Sequence, residues 1–343
     1  MKKYNLGIIG AGMYGKILIR HFQTDQRARI LWVNSASERT TRSAAEEFGV
    51  EKCSTDYRDV VNDPAVDAVV IVTPPHLHAE QLEAALAAKK HILLEKPIAE
   101  SRESLERILK AVEAEPSLKV LEASCRHTRL TRKFQFIKSM IADGKLGEVY
   151  HIHHNSLGRS TFIEYNPAGA WAMNKSLAGG GPFADRGVYD LSFHLGLLND
   201  APQLKSLQRF ARNDLRDMSR LVKFSDVEQH GAAWMEFDTG LTYYYENGAG
   251  VNNEAQNETR IYGTRGGLRF QHFSWDSNEV EFFYVEDGEP RQETFRIDMT
   301  QEPDDSLAIT THFLDYLDGK AEPLMTVPLA AKHMEILFRI MDG

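Results

Sequence analysis

Gly10-Ala11-Gly12-Met13-Tyr14-Gly15 follows the apolar run Tyr4-Asn5-Leu6-Gly7-Ile8-Ile9 and leads into Lys16-Ile17-Leu18-Ile19-Arg20-His21-Phe22. That order reads as strand, glycine turn, helix, the arrangement that holds a dinucleotide pyrophosphate. The first glycine permits the tight turn, the second lets the backbone approach the phosphates, and the third lets helix and strand pack closely. The helix N-terminus adds unpaired N–H groups and a partial positive charge. Gly10, Gly12, Met13, Tyr14 and Gly15 are therefore the first cofactor-binding candidates. A glycine pattern alone also fits an ordinary strand–helix turn, and the flanking strand and helix argue against that reading.

Outward from this turn the chain keeps alternating. Arg29–Val33 reads as a strand and Glu38–Phe48 as a helix stopped by Gly49. Val66–Val72 reads as a buried parallel strand, Leu77–Ala88 as a helix, His91–Leu94 as a strand, and Ser101 caps a helix reaching Glu113. Leu118–Glu122 is one more strand. Such alternation predicts a doubly wound, mainly parallel α/β sheet over residues 1–122.

After residue 122 the pattern changes. Leu130–Ala142 is helical, Glu148–Ser156 alternates as a strand, and Ala232–Phe237, Leu241–Glu246 and Glu279–Val285 alternate with turns between them. Strands bunched in this way predict an α+β second domain over residues 123–343, built on a large, open, mostly antiparallel sheet. Ser306–Tyr316 and Leu329–Met341 are its closing helices, placed to pack back on the first domain. Tyr243-Tyr244-Tyr245 is expected on an uncovered sheet face that needs a partner.

With 343 residues, 42% hydrophobic and 26% charged, the chain has the composition of a two-domain globular protein. Its net charge of −9 disfavours nucleic-acid and acidic-membrane partners. No run reaches the ~20 apolar residues of a membrane span, and the N-terminus lacks the pattern of a signal peptide. Cys53 and Cys125 have no third ligand close in sequence, which argues against a disulfide framework or a zinc site and points to a reducing cytoplasm. His151, His153 and His154 lie on one strand, 151 and 153 on one face and 154 on the other, and no carboxylate or cysteine cluster stands beside them. No metal is expected.

Chemistry beyond the glycine turn sits at three places. Strand ends on the carboxyl side of such a sheet face the ligand. One ends in Thr73-Pro74-Pro75-His76-Leu77-His78 and the next in Glu95-Lys96-Pro97. Far along lies Gly179-Gly180-Gly181-Pro182-Phe183-Ala184-Asp185-Arg186-Gly187-Val188-Tyr189-Asp190, read as a flexible glycine run opening a helix with Asp185 and Tyr189 on one face. Gly187 leaves room for a close approach. Asp190 and His194, also one turn apart, suit a structural hydrogen bond. The second strand ends in Asn34-Ser35 rather than in an acid. Asn34, Ser35 and Arg39 leave NAD and NADP both open, with a lean to NADP.

Taken together, these segments resemble the glucose–fructose oxidoreductase/inositol dehydrogenase (Gfo/Idh/MocA) family along nearly the whole chain. Arg126-His127, the stretch from Ile141 to Val149 and Gly263–Leu268 are similar too. The resemblance implies a Rossmann first domain and Lys96 beside the nicotinamide, bound to the reacting oxygen. It implies Asp185 holding the substrate and position 189 donating or accepting the proton. Tyrosine at 189 is similar to the glucose–fructose oxidoreductase branch. Thr73, Pro74, His78 and Glu95 would line the cofactor, and Arg126 and Trp171 would touch the substrate. The implied activity is hydride transfer between NAD(P) and a sugar, polyol or inositol-like small molecule, by a homodimer or homotetramer joined through the second sheet. A free tyrosine, with a pKa of about 10, is a poor base at neutral pH, and a neighbouring lysine ammonium lowers that barrier. A rival reading is an NAD(P)-binding regulator without catalysis on the same fold. The Lys96–Asp185–Tyr189 set disfavours it.

Overall fold

The computed structural model describes residues 2–273, 275–300 and 303–342. It divides into two compact units, Met1–Arg126 with Pro303–Lys332, and His127–Glu302 with His333–Gly343.

The first unit is built on six parallel strands: β1 (Tyr4–Ile9), β2 (Ala28–Asn34), β3 (Lys52–Ser54), β4 (Ala68–Ile71), β5 (His91–Leu94) and β6 (Val120–Glu122). They pair in the order β3-β2-β1-β4-β5-β6. The chain winds outward in both directions from β1 and β4, so the crevice of a doubly wound fold opens at their carboxyl ends. All four residues of β4 are buried, as its unbroken apolar sequence requires. The helix Glu38–Phe48 ends where Gly49 turns left-handed at φ 63°. Ser101 Oγ caps the helix Arg102–Ala114 by accepting from Ser104 N. The helix Asp305–Leu317 belongs to this unit. Arg27, itself buried, donates to Asp315 at 2.6 Å and to Asp318 at 3.2 Å.

The second unit holds β7 (Val149–Gly158), β8 (Leu204–Arg212), β9 (His230–Phe237), β10 (Thr242–Ala249), β11 (Gln256–Gly263), β12 (Gly266–Phe270), β13 (Glu279–Glu286) and β14 (Glu289–Arg296). Their order is β14-β13-β12-β11-β7-β10-β9-β8. Among the described residues, only β7 and β10 run parallel. Both edges, β8 and β14, carry mostly exposed polar residues, which blunt them against unwanted pairing.

The three consecutive tyrosines split across this sheet. Tyr243 and Tyr245 are fully buried, against the expectation of an uncovered triplet, because alternate residues of a strand face opposite sides. Tyr244 alone joins the second face, 4.8 Å from the His153 ring. His151 stacks there on Trp234 with centroids 5.4 Å apart.

Candidate active site

In the first unit, three glycines do three separate things. Gly10 sits at φ 106°, and a Cβ there would lie 2.6 Å from the Val72 carbonyl, so only glycine permits the turn. A Cβ on Gly15 would lie 2.2 Å from Gly10 O, which closes the turn on the helix. Gly12 faces open space and precedes the helix Met13–Phe22 without a side-chain cap. The N–H groups of Gly10 and Ala11 are already spent on Asn34 O, at 2.9 and 2.8 Å. The uncapped helix start beside an open glycine is a cradle that suits a pyrophosphate.

The strand ends beside it are tied to one another. His78 is completely buried, and its ring nitrogens reach Thr73 O at 2.9 Å and Ile98 O at 3.3 Å. Burial pushes its pKa down, so the neutral ring carries one proton, best spent on the shorter Thr73 contact. His78 thereby fastens the Thr73-Pro74-Pro75 turn to the start of the helix His78–Ala87. Pro74 is the cap of a short turn of helix, Pro75–Leu77. Thr73 Oγ1 donates to Gln81 at 2.6 Å.

Lys96 is half-buried directly after β5, two strands from β1 and on the same edge of the sheet. Its neighbour Glu95 is buried. One Glu95 oxygen accepts from Lys96 N at 3.1 Å, and the other accepts from Arg126 Nη1. The Arg126 guanidinium also lies 4.2 Å from the centre of the Tyr14 ring, and Tyr14 Oη contacts Ser306 Oγ at 3.3 Å. Burial raises the Tyr14 pKa to about 12, so it carries no proton chemistry near neutrality. Arg126, expected on the substrate, is thus engaged with Glu95 and Tyr14 inside the first unit.

Glu122, at the end of β6 and paired in register with Leu94, was not singled out from sequence. It is fully buried and accepts from Ser124 N and Oγ. Burial, helped by the Glu95 charge, raises its pKa to about 7. Its only signal in the sequence is a carboxylate closing an apolar strand.

At the end of β2, Asn34 is buried and donates to Ser54 O at 2.9 Å, so its amide serves the fold. Ser35 O accepts from Thr41 Oγ1, and Arg39 is exposed. Arg42 pairs with Glu38 at 2.7 Å.

In the second unit the expected helix is two helices, Pro182–Asp185 and Gly187–Leu197, broken at Arg186. Asp185 is half-buried at the end of the first. Tyr189 is 4% exposed in the first turn of the second. The glycine run is packed rather than loose. Glu228 accepts from Gly181 N at 2.8 Å and Phe183 N at 3.1 Å, and Cβ atoms on Gly180 or Gly181 would strike Met341 or the Glu228 backbone. Gly187 makes room for core side chains: a Cβ there would lie 2.7 Å from Tyr245 Oη and 2.8 Å from Leu337.

Tyr189 meets the His127 ring edge-on, with centroids 4.8 Å apart, and Phe273 at 6.2 Å. Trp171 lies in the turn of helix Pro167–Met173 and is 38% exposed. The side chains of Asp190 and His194 do not bond to each other. Asp190 accepts from Tyr245 at 2.8 Å, Asn247 at 3.3 Å and His272 at 3.0 Å, whereas His194 meets Tyr243 at 2.6 Å and Thr259 at 3.0 Å. His154, on the buried face of β7, comes within 3.5 Å of Asp190. A carboxylate and a second histidine therefore do gather beside His154, contrary to the sequence reading, because β7, the helix and the 272 region meet in the core. Burial opposes the charge on Asp190, yet His154 and His272 hold its pKa well below the ordinary value. Burial pushes His272 down to about 4.

Residues 4–121 match the family described as "Oxidoreductase family, NAD-binding Rossmann fold", and residues 134–269 match the "GFO/IDH/MocA C-terminal domain". The chain belongs to the GFO/IDH/MocA family. It is an NAD(P)-dependent oxidoreductase, with the Rossmann sheet and second, mostly antiparallel sheet that the family implies. Levoglucosan dehydrogenase of Pseudarthrobacter phenanthrenivorans is 25% identical over 308 residues, covering 82% of this chain and 77% of that protein. The 1,5-anhydro-D-fructose reductase of Ensifer adhaerens is 27% identical over 76% of this chain and 74% of its own length. A solved levoglucosan dehydrogenase in complex with NADH and levoglucosan shares the fold at TM-score 0.83 and 19% identity, over 98% of this chain and 95% of that one.

Proposed function

We propose that this protein interconverts a secondary hydroxyl and a ketone on a sugar, anhydrosugar, polyol or cyclitol ring. The observation that carries the reading is the first unit's sheet edge. The glycine cradle and Lys96 stand there two strands apart, about 10 Å at ordinary strand spacing. The names of the related sugar dehydrogenases and reductases support the substrate class.

The nicotinamide, when bound, supplies or takes the hydride. Lys96 donates a hydrogen bond to the reacting oxygen and stabilises negative charge on it. Tyr189 moves the proton at its phenolic oxygen, and Lys96 favours the phenolate. Asp185 orients a neighbouring hydroxyl. Arg126 acts as a positioning residue by holding Glu95, and through it the backbone at Lys96.

At the end of β2, the absence of a carboxylate at 34 and 35 and the exposed Arg39 favour NADP over NAD. The second face of the large sheet, with Trp234, His151 and Tyr244, is the surface through which we place a homodimer or homotetramer.

The test is turnover of a panel of sugars, anhydrosugars and inositols with both cofactors. Lys96→Met and Tyr189→Phe are each expected to lower kcat about 100-fold or more. If both keep near-wild-type rates, the role assignment is wrong.

A further inference from the structure

Lys133 is a buried ammonium that no catalytic step uses. It lies in the first turn of the helix Arg132–Ala142, whose cap is Thr131, where a positive charge opposes the helix dipole. Its side chain is 0% exposed. Nζ reaches the carbonyl oxygens of Gln271 at 2.7 Å, Phe273 at 3.1 Å and Ser277 at 2.6 Å, with His272 O at 3.4 Å. A lysine has three hydrogens to give, and here backbone carbonyls of a single loop take them. An unpaired buried ammonium would be costly, so loop and lysine hold each other in place.

That loop carries an exposed aromatic pair. Phe273 is buried and stacks on Trp275 with centroids 4.3 Å apart and planes 10° from parallel. Trp275 is nevertheless 61% exposed. A lone surface tryptophan calls for no explanation. This one is fixed from beneath by Phe273 and from the side by His127, which meets it edge-on at 5.0 Å. The same His127 ring touches Tyr189 at 4.8 Å. Two ring-to-ring contacts thus link the Tyr189 phenol, through His127, to an open indole face.

We propose that the loop around residues 271–277, anchored by Lys133, is a substrate-specificity element in which Trp275 stacks on the C–H face of a pyranose or cyclitol ring whose carbinol faces Tyr189. The inference rests on the oxidoreductase reading above. Sugar rings present an apolar C–H face and a polar rim, and the negative face of an aromatic ring attracts the former. Substrate sites commonly pair such an apolar wall with a few polar groups that fix orientation. Trp171, the tryptophan favoured by the sequence, has no such tie to Tyr189 among the ring contacts of the described residues.

Steady-state kinetics on Trp275→Ala, Trp275→Phe and Lys133→Met test this. Trp275→Ala should raise KM for the sugar substrate about tenfold or more, with kcat within about threefold and cofactor KM unchanged, because it removes binding shared by ground and transition states. Trp275→Phe should recover most of that loss, and Lys133→Met should reproduce it together with a lower Tm. Sugar KM within about twofold of wild type for Trp275→Ala overturns the proposal, even if Lys133→Met fails to fold. If wild type turns over no sugar or polyol, calorimetric titration of the same panel decides. Binding that Trp275→Ala abolishes upholds the platform without the reaction, and no binding by wild type overturns the platform along with the substrate class.

Discussion

Single side chains carry the sharpest chemistry here, and two of them pull stability in opposite directions with pH. Glu122, raised by burial from 4.5 to about 7, keeps its proton in the folded state after the unfolded chain has lost it. Folding therefore weakens as pH rises from about 4.5 to 7, by about 3 kcal/mol if this group acts alone. Glu122→Gln should remove that slope, which urea unfolding at pH 5 and pH 8 would measure. His272 has the reverse sign: burial lowers it from 6.5 to about 4, so the unfolded chain binds the proton first. Its contribution is present above pH 6.5 and is lost as pH falls toward 4, a range in which tryptophan fluorescence should report loosening. The glycine turn gives a third expectation. Gly15→Ala places a methyl group 2.2 Å from Gly10 O, so the turn must open, and the dissociation constant for NAD(P) should rise about tenfold or more in a fluorescence titration.

At the scale of elements, the break between the helices Pro182–Asp185 and Gly187–Leu197 matters most. Pro182 starts the first, Glu228 satisfies its leading N–H groups, and Gly187 lets the second settle against Tyr245 and Leu337. Asp185 and Tyr189 are thus set by two anchored pieces rather than by one helical repeat. Gly187→Ala gains up to about 1 kcal/mol of helix propensity but must displace two core side chains, at about 1–3 kcal/mol. A net fall in Tm by calorimetry, with a larger fall in kcat than Tm alone explains, is the expected outcome.

For the whole molecule, the question is what covers the second face of the eight-stranded sheet. Trp234 is 43% exposed and stacks with His151 there. Trp234→Glu should shift the protein to smaller species in light scattering if this face joins copies of the chain. An unchanged mass would place the contact elsewhere. Much of the architecture was legible beforehand. His91–Leu94 and Glu38–Phe48 were read to the residue, because unbroken apolar runs and caps are local signals. β14, Glu289–Arg296, was not, since an exposed polar edge strand has no alternation to read. Glu95, Lys96, Asp185 and Tyr189 were found as motifs. Glu122, Glu228, Lys133 and Trp275 were not, because each acquires its meaning from a partner far away in sequence or from burial.

By itself, the sequence determined the nucleotide fold: the order of apolar run, glycine turn and helix leaves the backbone few other choices, and Gly10 and Gly15 answer local steric demands. It also supplied Lys96, Asp185 and Tyr189, the residues on which the proposed proton transfer rests. Tertiary structure alone decided how they are held. Arg126 closes on Glu95, His154 and His272 converge on Asp190, and Lys133 grips a loop about 140 residues further on. Such contacts arise when separate strands and loops pack around one core, and no spacing along the chain encodes them.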